Sequence, residues 1–387
     1  MNAAEEAPIE RLRVSILSAP IDDIVPMSFG QLGDRKACLI EIDAGGLCGV
    51  GESWINYPAW GHRERLATLC DGVGPVLMGL NALDPEGVMR TLTEKLLPIG
   101  RQWGAPGPVW QAISGVDIAL WDLAGKAAGL SVARMLHETG QPRYWIPAYA
   151  SGVGPTDVTR LCENAMSEGF RAVKAKVGFG EERDLKTLSD ARTAIGTESD
   201  LFADANQAWS LAEAKRMCAA FAKHEVAWLE EPLAGDHLEE LEKLAAGTDM
   251  PLASGENVYG FEQFCRYIES NALRLVQPDL AKSGGFTLSQ QIASKAATGR
   301  TRIAPHCYSG AVSLVASLQL GAAHECVEWL ELDVRSNPLR TDLLDTPLEW
   351  SDGALGLPDR PGLGIELNQA TVRRFRTHLE ERTHRDI

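Results

Sequence analysis

Several features that mark other classes of protein are missing from this chain of 387 residues. Its eight cysteines are scattered and contain no CxxC pair, which favours reduced thiols over a disulfide or zinc framework. The longest uncharged run, residues 303–323, is interrupted by proline, glycine and polar residues, so no membrane span is expected. The first ten residues have neither a basic nor an apolar segment. We therefore expect no secretory signal and predict a cytoplasmic protein.

Positive charge is also scarce. The chain has 37 Lys and Arg against 53 Asp and Glu, a formal net charge of −16. Nucleic acids and anionic membranes both reward a basic surface, so neither is an expected partner. An anionic small molecule would have to bind at a locally positive site.

Two patterns of secondary structure divide the chain. Strands are predicted at 11–18, 37–43 and 47–53, followed by helical periodicity from about 63 to 138. From 146 to 333, eight short apolar strands alternate with helical stretches, which predicts a parallel (β/α) barrel. We thus predict an α+β domain at 1–144, a barrel at 145–345, and a segment at 346–387 that returns to the first domain. A doubly wound sheet is the alternative, although its glycine-rich phosphate fingerprint is absent.

Two lysines lie in a run that otherwise predicts a buried strand. Residues 170–180 read FRAVKAKVGFG, with Lys174 and Lys176 two positions apart. Because side chains alternate along a strand, both lysines face the same side. On a solvent-exposed edge this pair would be ordinary. Inside an enclosed site, two ammonium groups need a chemical reason.

Three carboxylates follow consecutive predicted strands. Asp204, Glu230 and Glu256 are each 26 residues apart, which is one strand–helix repeat. The strand ends of such a barrel form its functional face, where crowded anions require a cation. Oxygen ligands favour a hard divalent ion, Mg²⁺ with Mn²⁺ as the alternative. Each acid could instead cap the next helix. Glu231 competes with Glu230, and alternation allows only one of them to be a ligand.

The next two predicted strand ends carry Asp279 and His306. A carboxylate bound to a histidine fixes its tautomer and raises its basicity. With Lys176 across the barrel, two bases would flank the ion, which suits removal of a proton α to a carboxylate through an enediolate. Lys174 and the ion would both lower the pKa of Lys176 toward neutrality. The alternatives are a satisfied core histidine and a turn aspartate after Pro278.

Together these motifs resemble the enolase superfamily, in its mandelate racemase subgroup (the mandelate racemase/muconate lactonizing enzyme family). The resemblance covers nearly the whole chain. It rests on GVDIALWDLAGKAAG in the first domain and then on VKAKVG, DANQAW, WLEEP, GEN, QPDLAKSGG, PHCYSG, LELDVRSNPLR and PGLGIEL. The fold it implies is an α+β capping domain, a modified (β/α)₇β barrel and a C-terminal segment that rejoins the cap.

The resemblance also implies a role for each site residue. The implied Mg²⁺ ligands are Asp204, Glu230 and Glu256. The implied acid/base groups are Lys176, with Lys174 as its modulating partner, and His306 paired with Asp279. Glu331, with Glu328 as the fallback, would contact the substrate carboxylate.

Further implied contacts are Asn206, beside the metal, and Lys282. The Lys282 position resembles that of the sixth-strand lysine that serves as base in the muconate lactonizing branch, and here we interpret it as a supporting residue. Two early loops, at about 21–36 and 53–63, would close the site. The residues on them that could contact the substrate are Phe29, Trp54, Tyr57, Trp60, His62 and Arg63.

The activity implied is Mg²⁺-assisted proton abstraction from a small carboxylic acid by a homo-oligomeric enzyme. Acid-sugar dehydratases are numerous among the proteins that this one resembles, so dehydration of a sugar acid is the prediction. Racemisation or epimerisation of a 2-hydroxy acid and cycloisomerisation of a sugar lactone are the alternatives. A metabolite-binding protein without turnover is the non-enzymatic alternative, and the intact set of bases argues against it.

Overall fold

Alternating apolar side chains near the start of the chain build an antiparallel sheet. In the computed structural model, which describes residues 6–386, the first strands are β1 (Ile9–Met27), β2 (Gly30–Ala44) and β3 (Leu47–Ser53). Their apolar residues, for example Leu12 and Ile40, are fully buried. Residues 1–5, part of the stretch in which no secretory signal is expected, and residue 387 lie outside the described range.

The first two strands are longer than the sequence pattern predicts. The loop expected at 21–36 is instead the end of a β-hairpin, in which β1 and β2 pair as far as Met27 and Gly30. The register shifts between Pro20 and Val25. Proline and aspartate are depleted in strands, so the composition of this segment conceals the hairpin.

Helices cover one face of this sheet. They are α1 (Gly61–Ala67), α2 (Gly74–Leu77), α3 (Pro85–Trp103), α4 (Pro106–Ala128) and α5 (Val132–Leu136), with a π-helical segment at Thr68–Val73. The α4 backbone lies directly on β3, since a Cβ added at Gly51 would come within 2.0 Å of the Gly115 carbonyl oxygen. Glycine is required for so close an approach.

Eight parallel strands form a closed barrel, and each of them overlaps a stretch for which the sequence predicts a strand. They are β4 (Trp145–Val153), β5 (Ala172–Lys176), β6 (Asp200–Asp204), β7 (Val226–Glu230), β8 (Leu252–Ser254), β9 (Leu275–Val276), β10 (Arg302–Ile303) and β11 (Leu330–Asp333). Strands β4 to β10 pair in chain order. The barrel closes because β11 pairs with β4 and Ile303 bridges to Val327. The predicted barrel is confirmed, and the doubly wound alternative is wrong.

Seven helices alternate with these strands, as a (β/α)₇β barrel requires. They are α6 (Val158–Ser167), α7 (Glu181–Ile195), α8 (Leu211–Phe221), α9 (Leu238–Ala245), α10 (Phe261–Glu269), α11 (Gly285–Ala297) and α12 (Ala311–Ala323), with a 3₁₀ turn at Ala222–His224. Aromatic side chains fill the barrel interior, among them Tyr149, Phe202 and Trp228.

The C-terminal segment contacts both halves of the molecule. Its elements are α13 (Pro338–Thr341), β12 (Trp350–Ser351), β13 (Ala354–Gly356), α14 (Gln369–Phe375), β14 (Arg376–Thr383) and a 3₁₀ turn at His384–Asp386. Strand β13 pairs with β4 of the barrel, and β14 pairs with β1, so the cap sheet has the order β14-β1-β2-β3. The domain limits at 144 and 345 stay predictions. No helix within 6–386 is long and apolar enough to cross a membrane.

Candidate active site

The ends of β5, β6 and β7 bring two lysines and two carboxylates into one buried layer. The strand register sets Lys176 beside Asp204, and Asp204 beside Glu230. Lys174 is 0 % exposed and Lys176 5 % exposed. Both lysines therefore face the inside of the barrel, and the solvent-edge alternative is wrong.

Lys174 is held by carboxylates on three sides. Its Nζ lies 2.7 Å from Glu230 Oε1, 2.9 Å from Glu331 Oε1 and 3.8 Å from Asp204 Oδ2. Burial lowers the pKa of Lys174, but Glu230 and Glu331 outweigh burial and leave that pKa well above its ordinary value. The surrounding carboxylates thus favour the charged form of Lys174.

Lys176 has polar partners at the opening of the barrel. Its Nζ lies 2.5 Å from Asp204 Oδ2 and donates to Asn206 Oδ1 at 2.9 Å. Burial and Lys174 lower the pKa of Lys176, but the Asp204 carboxylate raises it above its ordinary value. The expected fall of the Lys176 pKa toward neutrality applies to a site that holds an ion, and it stays a prediction. It would require another cation to compete for Asp204.

Asp279 and His306 form the expected pair. His306 Nδ1 lies 2.7 Å from Asp279 Oδ2, and the other Asp279 oxygen accepts the backbone N–H of Ala281. His306 Nε2 lies 3.0 Å from Glu256 Oε2. Burial lowers the pKa of His306, but Glu256 and Asp279 raise it well above its ordinary value. The aspartate therefore both shapes its turn and orients the imidazole.

The three carboxylates expected to bind metal offer only oxygen donors. None of them caps the following helix: α8 is capped by Ser210, and α9 and α10 have no side-chain cap. Burial raises the pKa of Glu230 to about 7, and the charges of Asp204 and Glu256 contribute to the rise although Lys174 opposes it. These anions therefore lie close enough to repel one another.

Each of these carboxylates is also engaged by a cationic side chain. Within residues 6–386, no three His, Cys, Asp or Glu side chains are arranged to hold a metal ion. Oxygens of the three carboxylates instead contact Lys174, Lys176 and His306. The donor chemistry fits a hard divalent cation, which would compete with these contacts.

Glu231 does not turn away from the site. It follows the last residue of β7 with φ 39°, where strand alternation no longer applies. Asn257 Nδ2 donates to Glu231 Oε1 at 3.0 Å and to Glu256 Oε1 at 3.1 Å. Burial, Glu256 and Asp204 together raise the pKa of Glu231 well above its ordinary value. Strand alternation therefore does not decide which of Glu230 and Glu231 is the metal ligand.

The two glutamates considered on the last strand occupy different environments. Glu331 is 1 % exposed, and besides Lys174 it accepts from Ser151 Oγ and from the backbone N–H of Cys307. Glu328 lies at the outer surface, 2.9 Å from Arg274. Of the two, only Glu331 belongs to the site, where it holds the residue that follows His306.

A cavity of about 540 Å³ opens above this layer. Its barrel side is lined by Lys176, Asn206, Glu256, Lys282 and His306, and its cap side by Met27, Ser28, Phe29, Trp54 and Tyr57. Lys282 Nζ donates to Asn257 Oδ1 at 3.0 Å and lies 4.7 Å from the centre of the Trp54 ring. Trp60, His62 and Arg63 are not among the lining residues.

Asn257 and Tyr308 are among the residues of the cavity wall that sequence reasoning missed. Both lie inside quoted motifs, GEN and PHCYSG, so their position next to Glu256 or near His306 is the signal that could have found them. The chemical roles of the residues in the cavity and beneath it stay predictions.

Comparison with known protein families identifies the class of protein. Residues 12–137 match the mandelate racemase/muconate lactonizing enzyme N-terminal domain, and residues 157–371 match the enolase C-terminal domain-like family. The chain therefore belongs to the enolase superfamily, in the mandelate racemase/muconate lactonizing enzyme family, as the motifs indicate.

Two similar relatives are enzymes of sugar acids. D-galactarolactone cycloisomerase of Agrobacterium fabrum is 33% identical, with 95% of this chain and 98% of the relative covered. L-talarate/galactarate dehydratase of Salmonella typhimurium is 34% identical, with 94% of this chain and 90% of the relative covered. The crystal structure of L-talarate dehydratase from Polaromonas sp. JS666, complexed with Mg and L-glucarate, has a TM-score of 0.82 at 27% identity and covers 97% of this chain and 99% of that one.

Proposed function

We propose that this protein catalyses Mg²⁺-dependent dehydration of a sugar acid, beginning with removal of the proton α to the carboxylate. One observation carries the proposal: Lys176 and His306, both able to transfer protons, line the same cavity. Lys176 ends β5 and His306 lies in the loop after β10, and these two strands are three positions apart around the barrel. Dehydratases among the relatives support the choice of reaction.

In this proposal Asp204, Glu230 and Glu256 hold the ion. When bound, Mg²⁺ would stabilise the negative charge that develops on the substrate as its α-proton leaves. Mn²⁺ has similar oxygen-ligand chemistry and is the alternative ion.

The protein's own side chains would carry the protons. Lys176 Nζ would take the α-proton, and His306 Nε2 would donate a proton to the departing β-hydroxyl. Asp279, bound to Nδ1, would keep the imidazole oriented for this transfer. The acid would lose one water, and the resulting enol would become a 2-keto-3-deoxy acid. The positive charge of Lys174 would balance the negative charges of the buried carboxylates. Glu331 would act at the substrate carboxylate or through the backbone of Cys307.

Substrate selection would fall to the cap side of the cavity. We propose that Trp54 and Tyr57 contact the distal part of the acid, with Asn206 and Lys282 on the barrel side. A cavity with both aromatic faces and polar groups suits a polyhydroxy acid, whose C–H and O–H groups need both kinds of partner.

Incubation in D₂O tests this function. The protein would be mixed with Mg²⁺ and a panel of aldonic, aldaric and anhydro sugar acids and lactones, and followed by NMR. The expected result is α-proton exchange together with a 2-keto-3-deoxy acid. Exchange without net product would replace dehydration by racemisation or epimerisation. No exchange with any acid would favour a binding protein without turnover.

Cycloisomerisation is the second candidate, favoured by the coverage of the A. fabrum cycloisomerase along almost its whole length. This reaction would begin with the same proton abstraction, and a lactone ring oxygen would then leave in place of a hydroxyl. The panel separates the two reactions, since a lactone substrate would be consumed and the open acid would not.

We also propose a cytoplasmic, homo-oligomeric enzyme. All eight cysteines are free, and none of them is among the residues that line the cavity, which suits a reducing compartment. Size-exclusion chromatography with light scattering would measure the number of subunits.

A further inference from the structure

The end of strand β3, in the capping domain, contacts the barrel loop that carries His306. Glu52 Oε1 accepts the backbone N–H of Gly310 at 2.6 Å, and Oε2 accepts that of Ser313 at 2.9 Å. These groups open helix α12, directly after the His306 loop. Asn56 Nδ2 also donates to the carbonyl oxygen of Tyr308.

The same short segment reaches the loop that carries Asp279. The backbone N–H of Trp54 donates to the Ala281 carbonyl oxygen at 3.2 Å. Two side chains of α4 hold the helix that follows this loop: Ser114 Oγ accepts from Gly284 N–H at 2.7 Å, and Asp117 Oδ2 accepts from Thr287 N–H at 3.0 Å. The capping domain therefore holds both loops whose side chains meet in the Asp279–His306 bond.

Glu52 is an unusual residue for a purely structural position. It is 0 % exposed, and within residues 6–386 its hydrogen-bond partners are backbone N–H groups rather than a Lys or Arg. Burial of a carboxylate without a cation is costly, and two N–H groups at a helix N-terminus offset only part of that cost. Burial of Glu52 therefore lowers the stability of the folded protein, and in return it fixes the loop that carries His306.

We propose that Glu52 is a positioning residue for the acid/base pair, acting across the domain interface to set the His306 imidazole against Asp279. Gly310 is four residues from His306 in the chain, so a shift of the α12 N-terminus would be transmitted through this short loop to the imidazole. This inference rests on the proposed function, because it assigns Glu52 a purpose in that reaction. It also predicts a measurable feature of the protein without substrate.

Nuclear magnetic resonance of histidine-labelled protein tests the proposal, first without metal and then with Mg²⁺ as the only addition. The Nδ1–H signal of His306, assigned by its loss in His306→Asn, reports the bond to Asp279. In Glu52→Gln we expect this signal to shift or broaden beyond detection, because one acceptor becomes a donor facing a backbone N–H.

Asp122→Asn is the matched control. Asp122 is a buried carboxylate of α4 that accepts from Val50 N–H at 2.8 Å, Leu363 N–H at 2.7 Å and Lys126 Nζ at 2.6 Å, and within residues 6–386 its hydrogen bonds go to neither loop. Its variant should leave the His306 signal unchanged. With the panel acid that the wild type turns over, Glu52→Gln should lose kcat by about a hundredfold with little change in KM, the scale expected for a small misplacement of a catalytic group.

An unchanged His306 signal in Glu52→Gln would overturn the proposal. If that variant does not fold, Glu52→Asp, which keeps the charge but shortens the side chain, should displace the same signal. Amide hydrogen exchange in the wild type needs no variant, and rapid exchange at Gly310 and Ser313 would also refute the proposal. A wild type that exchanges no α-proton would refute the proposed function alone, since the His306 signal would still report on Glu52.

Discussion

Lys174 lies beneath the cavity and compensates the buried charges of Glu230 and Glu331. Removal of one partner from a buried ion pair leaves an uncompensated charge in a poorly solvated place. We expect Lys174→Met to lower the free energy of unfolding by about 3–5 kcal/mol, measured by urea denaturation without metal. Lys186→Met, in an exposed pair with Asp190, is the control and should change it by about 0.5 kcal/mol or less. Equal effects would contradict this account of Lys174.

Glu52 gives the protein a pH-dependent stability. Burial raises the pKa of Glu52 to about 7 from 4.5, although the N–H groups of Ser313 and Gly310 lower it. Because the folded-state pKa is raised, this contribution is complete below the unfolded value and is lost as pH rises through 7. Between pH 4.5 and 7, the wild type should lose about 2–3 kcal/mol of unfolding free energy relative to Glu52→Gln. If urea denaturation gave the same pH dependence of the unfolding free energy for the two proteins, the raised pKa of Glu52 would be contradicted.

At this scale, local chemistry could be predicted from sequence and long-range contacts could not. Alternation along one strand is enough to set Lys174 and Lys176 on the same face. Glu52 and Gly310 are 258 residues apart, so no local pattern joins them. The lowered pKa of Lys176 stays a prediction, because it applies to a site that holds an ion, whereas the direct contact with Asp204 alone raises that pKa.

The packing of strand β3 on helix α4 depends on the absence of side chains. A Cβ at Gly51 would meet the Gly115 carbonyl oxygen at 2.0 Å and the Ala119 nitrogen at 2.8 Å, and backbone atoms cannot move aside cheaply. We expect Gly51→Ala to lower the free energy of unfolding by about 1–3 kcal/mol or more. Gly33→Ala is the control, since nothing lies within 4 Å of its added Cβ. Comparable melting temperatures in the two variants would contradict the close packing.

The elements that the sequence predicts best are those with a strict period. All eight barrel strands were predictable because buried parallel strands are short apolar runs separated by helical repeats. The hairpin at the end of β1 and β2 was missed because prolines and aspartates interrupt its apolar pattern, although Val25, Met27 and Leu32 are buried. Strand β14 has the charged composition of a helix end, RTHLEERT, and only its contact with β1 makes it a strand.

Metal binding should stabilise the whole molecule. A ligand that binds only the folded state at about 100 times its Kd adds about 2.7 kcal/mol. We therefore expect a higher melting temperature in Mg²⁺ than in EDTA, and loss of that difference in Asp204→Asn. Asp190→Asn, at an exposed ion pair, should keep it. A full Mg²⁺ effect in Asp204→Asn would remove Asp204 from the ligand set.

The pairing of β14 with β1 has a consequence for synthesis on the ribosome. Strand β1 is translated near the start of the described chain, yet one of its two neighbours is translated only after the entire barrel. Until then β1 is an open sheet edge, with backbone groups able to pair with another nascent chain. Formation of the cap is therefore a late event, and crowded polysomes are where this protein would be most prone to aggregate.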